Sequence, residues 1–245
     1  VFTHNTGTGI QNNDRMALTI TSSTISYNGG NGITTNHGAI TNNTITYNSN
    51  SGIKVYQNGG QPITVQNNII VGNTASTGAG INIHTYCTNT ISNNIISHNT
   101  ATGNGGGIYH SGIGNSCFQT GLFSNNTVTG NSAGNGAGIY HTVVENNYNP
   151  HAITFENNTI TQNSSSDPES ASVWIKSPYA TLNNNNIFAN DTTYELYDYQ
   201  GIGAADLDIQ NNWWGTTDQA TIQTKIYDWT DDGTKQVVDY TPFLT

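Results

Sequence analysis

The stretch that decides the fold is ISNNIISHN, which runs from Ile91 to Asn99. Side chains of a β-strand alternate between its two faces with a period of two residues. Ile91 and Ile96 can therefore both point inward only if the chain bends between Asn93 and Asn94. The stretch predicts a short strand, a corner and a second short strand.

The same phrase recurs along the whole chain. Its copies are ITSSTISYN (20–28), ITNNTITYN (40–48), VQNNIIVGN (65–73), FSNNTVTGN (123–131), FENNTITQN (155–163), LNNNNIFAN (182–190) and IQNNWWG (209–215). A Gly-Ile pair follows most copies and opens a third strand. Matching apolar positions recur at intervals of 20 to 32 residues. Three inward apolar columns per turn predict an all-β solenoid of about eight to nine coils, with parallel strands stacked about 4.8 Å apart. The asparagines are expected to form hydrogen-bonded ladders at the corners.

The composition excludes several classes of protein. The chain has 245 residues, with 5 Lys and Arg against 15 Asp and Glu, and a formal net charge of −10. It lacks the basic patch that nucleic-acid binding requires. No apolar run approaches the roughly 18 residues of a membrane-spanning helix, so membrane insertion is not expected. The 38 Asn and 27 Gly argue against a helical protein.

These repeats resemble those of the right-handed parallel β-helix, in the pectate-lyase-like superfamily. The tail NNWWGTTDQATIQTKIYDWTDDGTKQVVDYTPFL (211–244) is similar to the closing segment of secreted bacterial β-helix repeat proteins. The resemblance implies the right-handed turn, which periodicity does not set, and an extracellular or cell-surface location. It implies no single activity, because the superfamily includes lyases, hydrolases, adhesins and inert scaffolds.

The two ends of the chain lead to different expectations. Residues 1–215 are assigned to the coils and residues 216–245 to a C-terminal cap. Within the cap we predict a short amphipathic helix over 217–232, with Ile222, Ile226 and Trp229 on one side, followed by Tyr240, Pro242 and Phe243 over the last coil. At the other end, Phe2 aligns with Ile25, so the sequence begins inside a strand. An open coil end is expected to be covered by further sequence or by another copy, which would allow head-to-tail filaments.

Cys87 and Cys117 occupy comparable stretches of adjacent coils. A disulfide bond between them is plausible outside the cell. Two buried thiols are the alternative. The absence of a Cys-x-x-Cys pair argues against a zinc site.

An aromatic stripe is the first candidate site. Alignment of the Gly-Ile strands places Tyr109, Tyr140, Trp174 and Tyr197 in one outward column, after Lys54 and Asn82. Such rings can stack on sugars, and the few basic residues favour a neutral glycan over an acidic one. The alternative is an aromatic ladder that only stiffens the sheet.

The longest insertions, 109–121 and 140–152, form the second candidate site. They carry His110, His141, Glu145 and His151, and a histidine beside a carboxylate can act as a general base. His110 and His141 alternate with Ile83 and Ile175 in one column, which favours buried structural histidines. The catalytic residues expected from the resemblance to lyases and hydrolases of this superfamily are missing, since the only arginine is Arg15 and no aspartate cluster lies within the coils.

Two further patterns are weaker. Asp228, Asp232 and Asp239 partly follow the spacing of a Ca²⁺ loop, but a turn that closes the cap explains them equally. Outward threonine pairs such as Thr44 and Thr46 resemble ice-binding arrays, and isoleucines interrupt them. No other cofactor is indicated.

The sequence therefore supports three hypotheses. The first is a non-catalytic extracellular structural or adhesive module, which pairs with copies of itself end to end. The second is a β-helix that binds or cleaves a neutral extracellular glycan, as a polysaccharide lyase or a glycoside hydrolase. The third is ice binding.

Overall fold

The computed structural model describes residues 1–13, 16–56, 61–85, 88–113, 120–144 and 152–245. Its first strands are β1 (Phe2–Thr3), β2 (Ile10–Gln11), β3 (Leu18–Thr21), β4 (Thr24–Ser26), β5 (Ile33–Thr35), β6 (Gly38–Thr41), β7 (Thr44–Thr46), β8 (Ile53–Tyr56), β9 (Ile63–Gln66) and β10 (Ile69–Val71). The middle strands are β11 (Thr74–Ala75), β12 (Ile81–Thr85), β13 (Asn89–Ser92), β14 (Ile95–Ser97), β15 (Thr100–Ala101), β16 (Ile108–Ile113), β17 (Thr120–Ser124), β18 (Thr127–Thr129), β19 (Ile139–Val144), β20 (Ala152–Glu156) and β21 (Thr159–Thr161). The last elements are β22 (Ala171–Lys176), β23 (Ala180–Asn183), β24 (Asn186–Phe188), β25 (Tyr194–Asp198), β26 (Leu207–Asp208), α1 (Gln219–Gln223), β27 (Ile226–Tyr227) and β28 (Val238–Asp239).

The strands form three long parallel sheets, as a solenoid requires. The first sheet has the order β1-β4-β7-β10-β14-β18-β21-β24, and the second β2-β5-β8-β12-β16-β19-β22-β25-β27. The third runs β3-β6-β9-β13-β17-β20-β23-β26-β28, and β11 pairs with β15 in a small fourth sheet. Each sheet therefore takes one strand from each successive coil, which confirms the predicted fold class.

The predicted apolar columns form a continuous core between the sheets. In the first sheet Ile70 lies between Ile45 and Ile96, and in the third Ile91 lies between Val65 and Phe123. Most of these side chains are completely buried. Each coil covers the apolar side chains of the next, so hydrophobic burial is shared along the solenoid axis.

The paired asparagines have different roles at the corner. The first of each pair has a left-handed backbone, with φ between 55° and 60° at positions 42, 67, 93, 125, 157, 184 and 211. Asparagine tolerates this conformation better than most residues with a Cβ atom. The second asparagine points inward and is buried, as at Asn94. The bend therefore occurs where the sequence predicts it.

Two asparagine ladders run along the coils. In one, the Oδ1 atom of Asn99 accepts hydrogen bonds from the backbone N and the Nδ2 of Asn73, both at 3.0 Å. The Nδ2 of Asn99 donates to the Oδ1 of Asn131 and to the carbonyl oxygen of Ile70, both at 3.0 Å. Asn94 makes the corresponding bonds in the second ladder. Each amide thus connects three coils and satisfies backbone groups that the corners would leave unpaired.

The first ladder ends on a carboxylate. Asn190 is its last asparagine, and its Nδ2 donates to Glu195 Oε2 at 2.5 Å. Lys225 Nζ lies 3.5 Å from Glu195 Oε1. Burial raises the pKa of Glu195, against the lowering effect of these two neighbours. Glu195 therefore supplies the acceptor that another asparagine provides elsewhere in the ladder.

The glycine of the Gly-Ile pair is required by close packing. A Cβ atom at Gly80 would lie 2.4 Å from the carbonyl oxygen of Gly107 and 2.7 Å from Cγ2 of Ile96. No side chain fits at Gly80, because the Gly107 carbonyl belongs to the backbone of the next coil and cannot move aside. The recurring glycine thus allows successive coils to approach at this corner.

The C-terminal segment corrects the prediction of a helix over 217–232. Helix α1 contains only five residues, while Ile226 lies in β27 and Trp229 is exposed. The Asp228 carboxylate accepts hydrogen bonds from Thr230 N at 2.9 Å and Thr230 Oγ1 at 2.7 Å, which favours a turn over a further helical turn. The segment also adds β27 and β28 to two sheets. Tyr240 and Phe243 pack against the core, as predicted.

Candidate functional site

The aromatic stripe lies on the outer face of the second sheet. Tyr109, Tyr140, Trp174 and Tyr197 occupy neighbouring strands in register, and Tyr227 extends the column. Ring centroids are 5.4 Å apart for Tyr109 and Tyr140, 6.1 Å for Tyr140 and Trp174, and 3.9 Å for Trp174 and Tyr197. The interplanar angles of these pairs are 6°, 15° and 4°. The rings therefore stack on one another along the solenoid axis.

This stacking limits what the stripe can bind. A sugar ring packs against a free aromatic face, but the faces within the column cover each other. Trp174 is only 8% exposed and Tyr197 only 5%, whereas Tyr109 and Tyr140 are partly exposed. Burial raises the pKa of the hydroxyl groups of Tyr140 and Tyr197. Of the four predicted residues, Tyr109 and Tyr140 thus remain accessible, and Tyr227 at the far end of the column is also partly exposed.

Two rings that sequence reasoning missed continue the stripe toward the N-terminus. His84 lies 5.6 Å from Tyr109 and 6.0 Å from Tyr56, centroid to centroid. Burial lowers the pKa of His84, and Lys54 lowers it further. Tyr56 and His84 are paired in register, and each lies two positions after the column residue of its own strand, Lys54 or Asn82. The sequence contained a signal for this placement, because alternate residues of a strand face the same side, so Tyr56 and His84 face outward with Lys54 and Asn82.

His110 and His141 lie inside the solenoid. Both are completely buried, their Nδ1 atoms are 2.9 Å apart, and their ring centroids are 4.9 Å apart. One Nδ1 must carry the hydrogen that the other accepts. The rings also contact Phe123 and Phe155 edge to face. This burial favours a structural role for the two histidines, because a general base must reach its substrate.

Several predicted site residues lie outside the described part of the chain. These are Glu145 and His151 of the second loop, Arg15 near the N-terminus, and both cysteines of the predicted disulfide, Cys87 and Cys117. Their predicted roles stay predictions.

The carboxylates of the suggested Ca²⁺ loop bind protein donors. Asp232 Oδ1 accepts from Thr234 N at 2.9 Å, and Asp239 Oδ2 accepts from Gln210 Nε2 at 2.7 Å. Asp228 is buried and accepts from Thr230. Among the residues that the structure describes, no group of three or more His, Cys, Asp or Glu side chains is placed to hold a metal. Asp228 and Asp232 thus accept hydrogen bonds from residues two positions ahead, and Asp239 links β28 to Gln210.

Comparisons with known proteins place the chain in a family without assigning an activity. No helix in the described ranges is both long and apolar enough to cross a bilayer. Searches of curated proteins and of solved structures found no significant match. A family model described as "Right handed beta helix region" matches residues 1–147, which is more than half of the chain. Together with the three parallel sheets, this match shows that the chain belongs to the right-handed β-helix family.

Proposed function

We propose that the chain is a non-catalytic extracellular structural or adhesive module that associates end to end. The observation that carries the proposal is that the polar and aromatic side chains considered above mainly contact other parts of the same molecule. The asparagines that dominate the composition bind neighbouring coils, and the histidine pair is buried in the core. The aromatic column mostly stacks on itself. These side chains stabilise a rod of stacked coils.

Exposed apolar side chains lie at the outermost strands at both ends of the described coils. Among the described residues, strands β1, β2 and β3 each pair on one side only. Phe2, in β1, is 42% exposed. At the opposite end Trp229 and Val237 flank the edge strands β27 and β28 and are 52% and 47% exposed. Contact between unlike ends is heterologous and can propagate as a filament.

The extracellular location rests on the similarity of the tail to secreted β-helix proteins. The low content of charged residues and the many neutral amides are compatible with it. This part of the proposal is tested separately, by locating the protein in fractions of its source cells.

Sedimentation velocity over a concentration series tests the association. We expect the wild-type chain to form larger species with increasing concentration. Phe2→Asp and Trp229→Asp should each weaken association at least tenfold, because a charge would have to be buried in the contact. Ile95→Asp is the matched control, since Ile95 is 47% exposed on the side of the rod. A wild-type chain that stays monomeric throughout would overturn end-to-end association, and an upstream segment would then be the better occupant of the N-terminal edge.

A neutral-glycan site is the second candidate, because Tyr109 and Tyr140 on neighbouring strands are partly exposed. We expect Tyr140→Ala to abolish any binding found on an array of neutral glycans and to leave the fold intact. Tyr27→Ala is the control, since Tyr27 is an exposed, stacked tyrosine directly after β4, away from this sheet. The same glycans incubated with the wild-type chain show whether cleavage occurs. Equal binding by both variants would remove the stripe from consideration.

A further inference from the structure

A cavity of about 390 Å³ lies where β22 and β25 end, beside β19. Its walls include Val143, Lys176, Pro178, Tyr199, Gln200 and Ala204. The volume lies within the range of about 300–1,000 Å³ typical of small-molecule sites. The walls combine apolar groups with a cation and an amide, as sites for small organic molecules do. The cavity adjoins the stacked stripe, because the Tyr199 ring lies 5.8 Å from Trp174 and 6.4 Å from Tyr197, centroid to centroid.

Two of the chain's few cations lie beside the cavity. The net charge is −10, with only five Lys and Arg residues. Nevertheless Lys176 Nζ lies 4.6 Å and Lys235 Nζ 4.5 Å from the centroid of the Tyr199 ring. In the described ranges neither lysine takes part in an ion pair, and the one ion pair found joins Lys225 to Glu195. Lys235 also interacts with the carboxylates of Asp198 and Asp232, so Lys176 is the cation that stays available to an anion.

The amide in the cavity wall belongs to the protein's own hydrogen-bond network. Gln200 is 6% exposed, and its Nε2 donates to the carbonyl oxygen of Ser177 at 2.9 Å. Its side chain also lies within hydrogen-bond reach of the buried Asp198 carboxyl group. Lys176 is therefore the polar group that the cavity offers to a ligand.

We propose that this cavity binds a small organic carboxylate that carries an apolar body. The carboxylate pairs with Lys176 at the rim. The apolar body packs against Val143, Pro178 and Ala204.

Isothermal titration with para-hydroxybenzoate and its neutral isostere para-hydroxybenzamide tests the proposal. We expect saturable binding of the carboxylate and at least tenfold weaker binding of the amide. Lys176→Gln should weaken binding of para-hydroxybenzoate at least tenfold. Lys54→Gln, on the same sheet but away from the cavity, should leave the affinity unchanged.

The alternative is that both lysines only pack against Tyr199. Under that alternative Lys176→Gln lowers the unfolding temperature, and para-hydroxybenzoate does not bind saturably. Equal affinity for the carboxylate and the amide, or binding that Lys176→Gln does not weaken, would likewise overturn the proposal. Melting curves of the unliganded variants confirm that each of them is folded.

Discussion

Replacement of Asn99 by alanine is expected to lower the free energy of unfolding by about 3–5 kcal/mol. Asn99 is completely buried, and its side chain bonds to Asn73, Ile70 and Asn131. Alanine fills none of these roles, so the backbone N–H of Asn73 and the carbonyl of Ile70 each lose a partner in the interior. Urea unfolding monitored by circular dichroism measures the change.

Asn93→Gly is the control for this substitution. Asn93 lies in the same repeat but is exposed and has φ of 56°. Glycine adopts this conformation without steric cost, so the change in stability should stay within about 0.5 kcal/mol. Equal effects of the two substitutions would show that the ladder does not hold the coils together.

The second large effect is a loss of stability as the pH rises, caused by Asp198. This carboxyl group is completely buried in β25, and Gln200 N donates to its Oδ1 at 3.0 Å. Its Oδ2 has no partner among the described residues. Burial, with a smaller contribution from Asp228, raises its pKa to about 7, against the lowering effects of Gln200 and Lys235.

The sign of the effect follows from the direction of this shift. An unfolded aspartate has a pKa of about 3.9, so between about pH 4 and pH 7 the folded chain holds a proton that the unfolded chain has released. The stabilisation is complete below about pH 4 and is lost as the pH rises through about 7. A difference of about three pKa units corresponds to at most about 4 kcal/mol.

Asp198→Asn isolates this contribution, because asparagine resembles the protonated carboxyl group at every pH. We expect the variant and the wild type to have similar stability near pH 4, and the variant to be the more stable at pH 8. Exposed Asp191 provides the control substitution, Asp191→Asn, which should follow the wild type throughout. A wild-type curve parallel to that of Asp198→Asn would refute the role of Asp198.

The coils could be predicted from the sequence because the repeat contains both of the signals that define them. The parity of Ile91 and Ile96 requires a bend, and the neighbouring asparagines supply a residue that tolerates a left-handed backbone and a residue that forms a ladder. The register of the aromatic column followed from the Gly-Ile alignment. These features depend on local chemistry that each coil repeats.

Features that depend on a single coil were harder to predict. The 217–232 segment has helical spacing, but Asp228 binds the backbone of Thr230, and Ile226 completes a sheet instead. The burial of Trp174 and Tyr197 depends on stacking distances that sequence spacing does not contain. The cavity brings Lys176 together with Tyr199, and Lys235 approaches from the cap, so no local pattern indicates it.

Negative-stain electron microscopy over a concentration series tests the central claim most directly, that the molecule is a rod that associates through its ends. Nine coils stacked about 4.8 Å apart give a rod roughly 40 Å long. The account predicts filaments with an axial repeat near that length, which become longer as the concentration rises. Dispersed particles of one rod length at every concentration would contradict it.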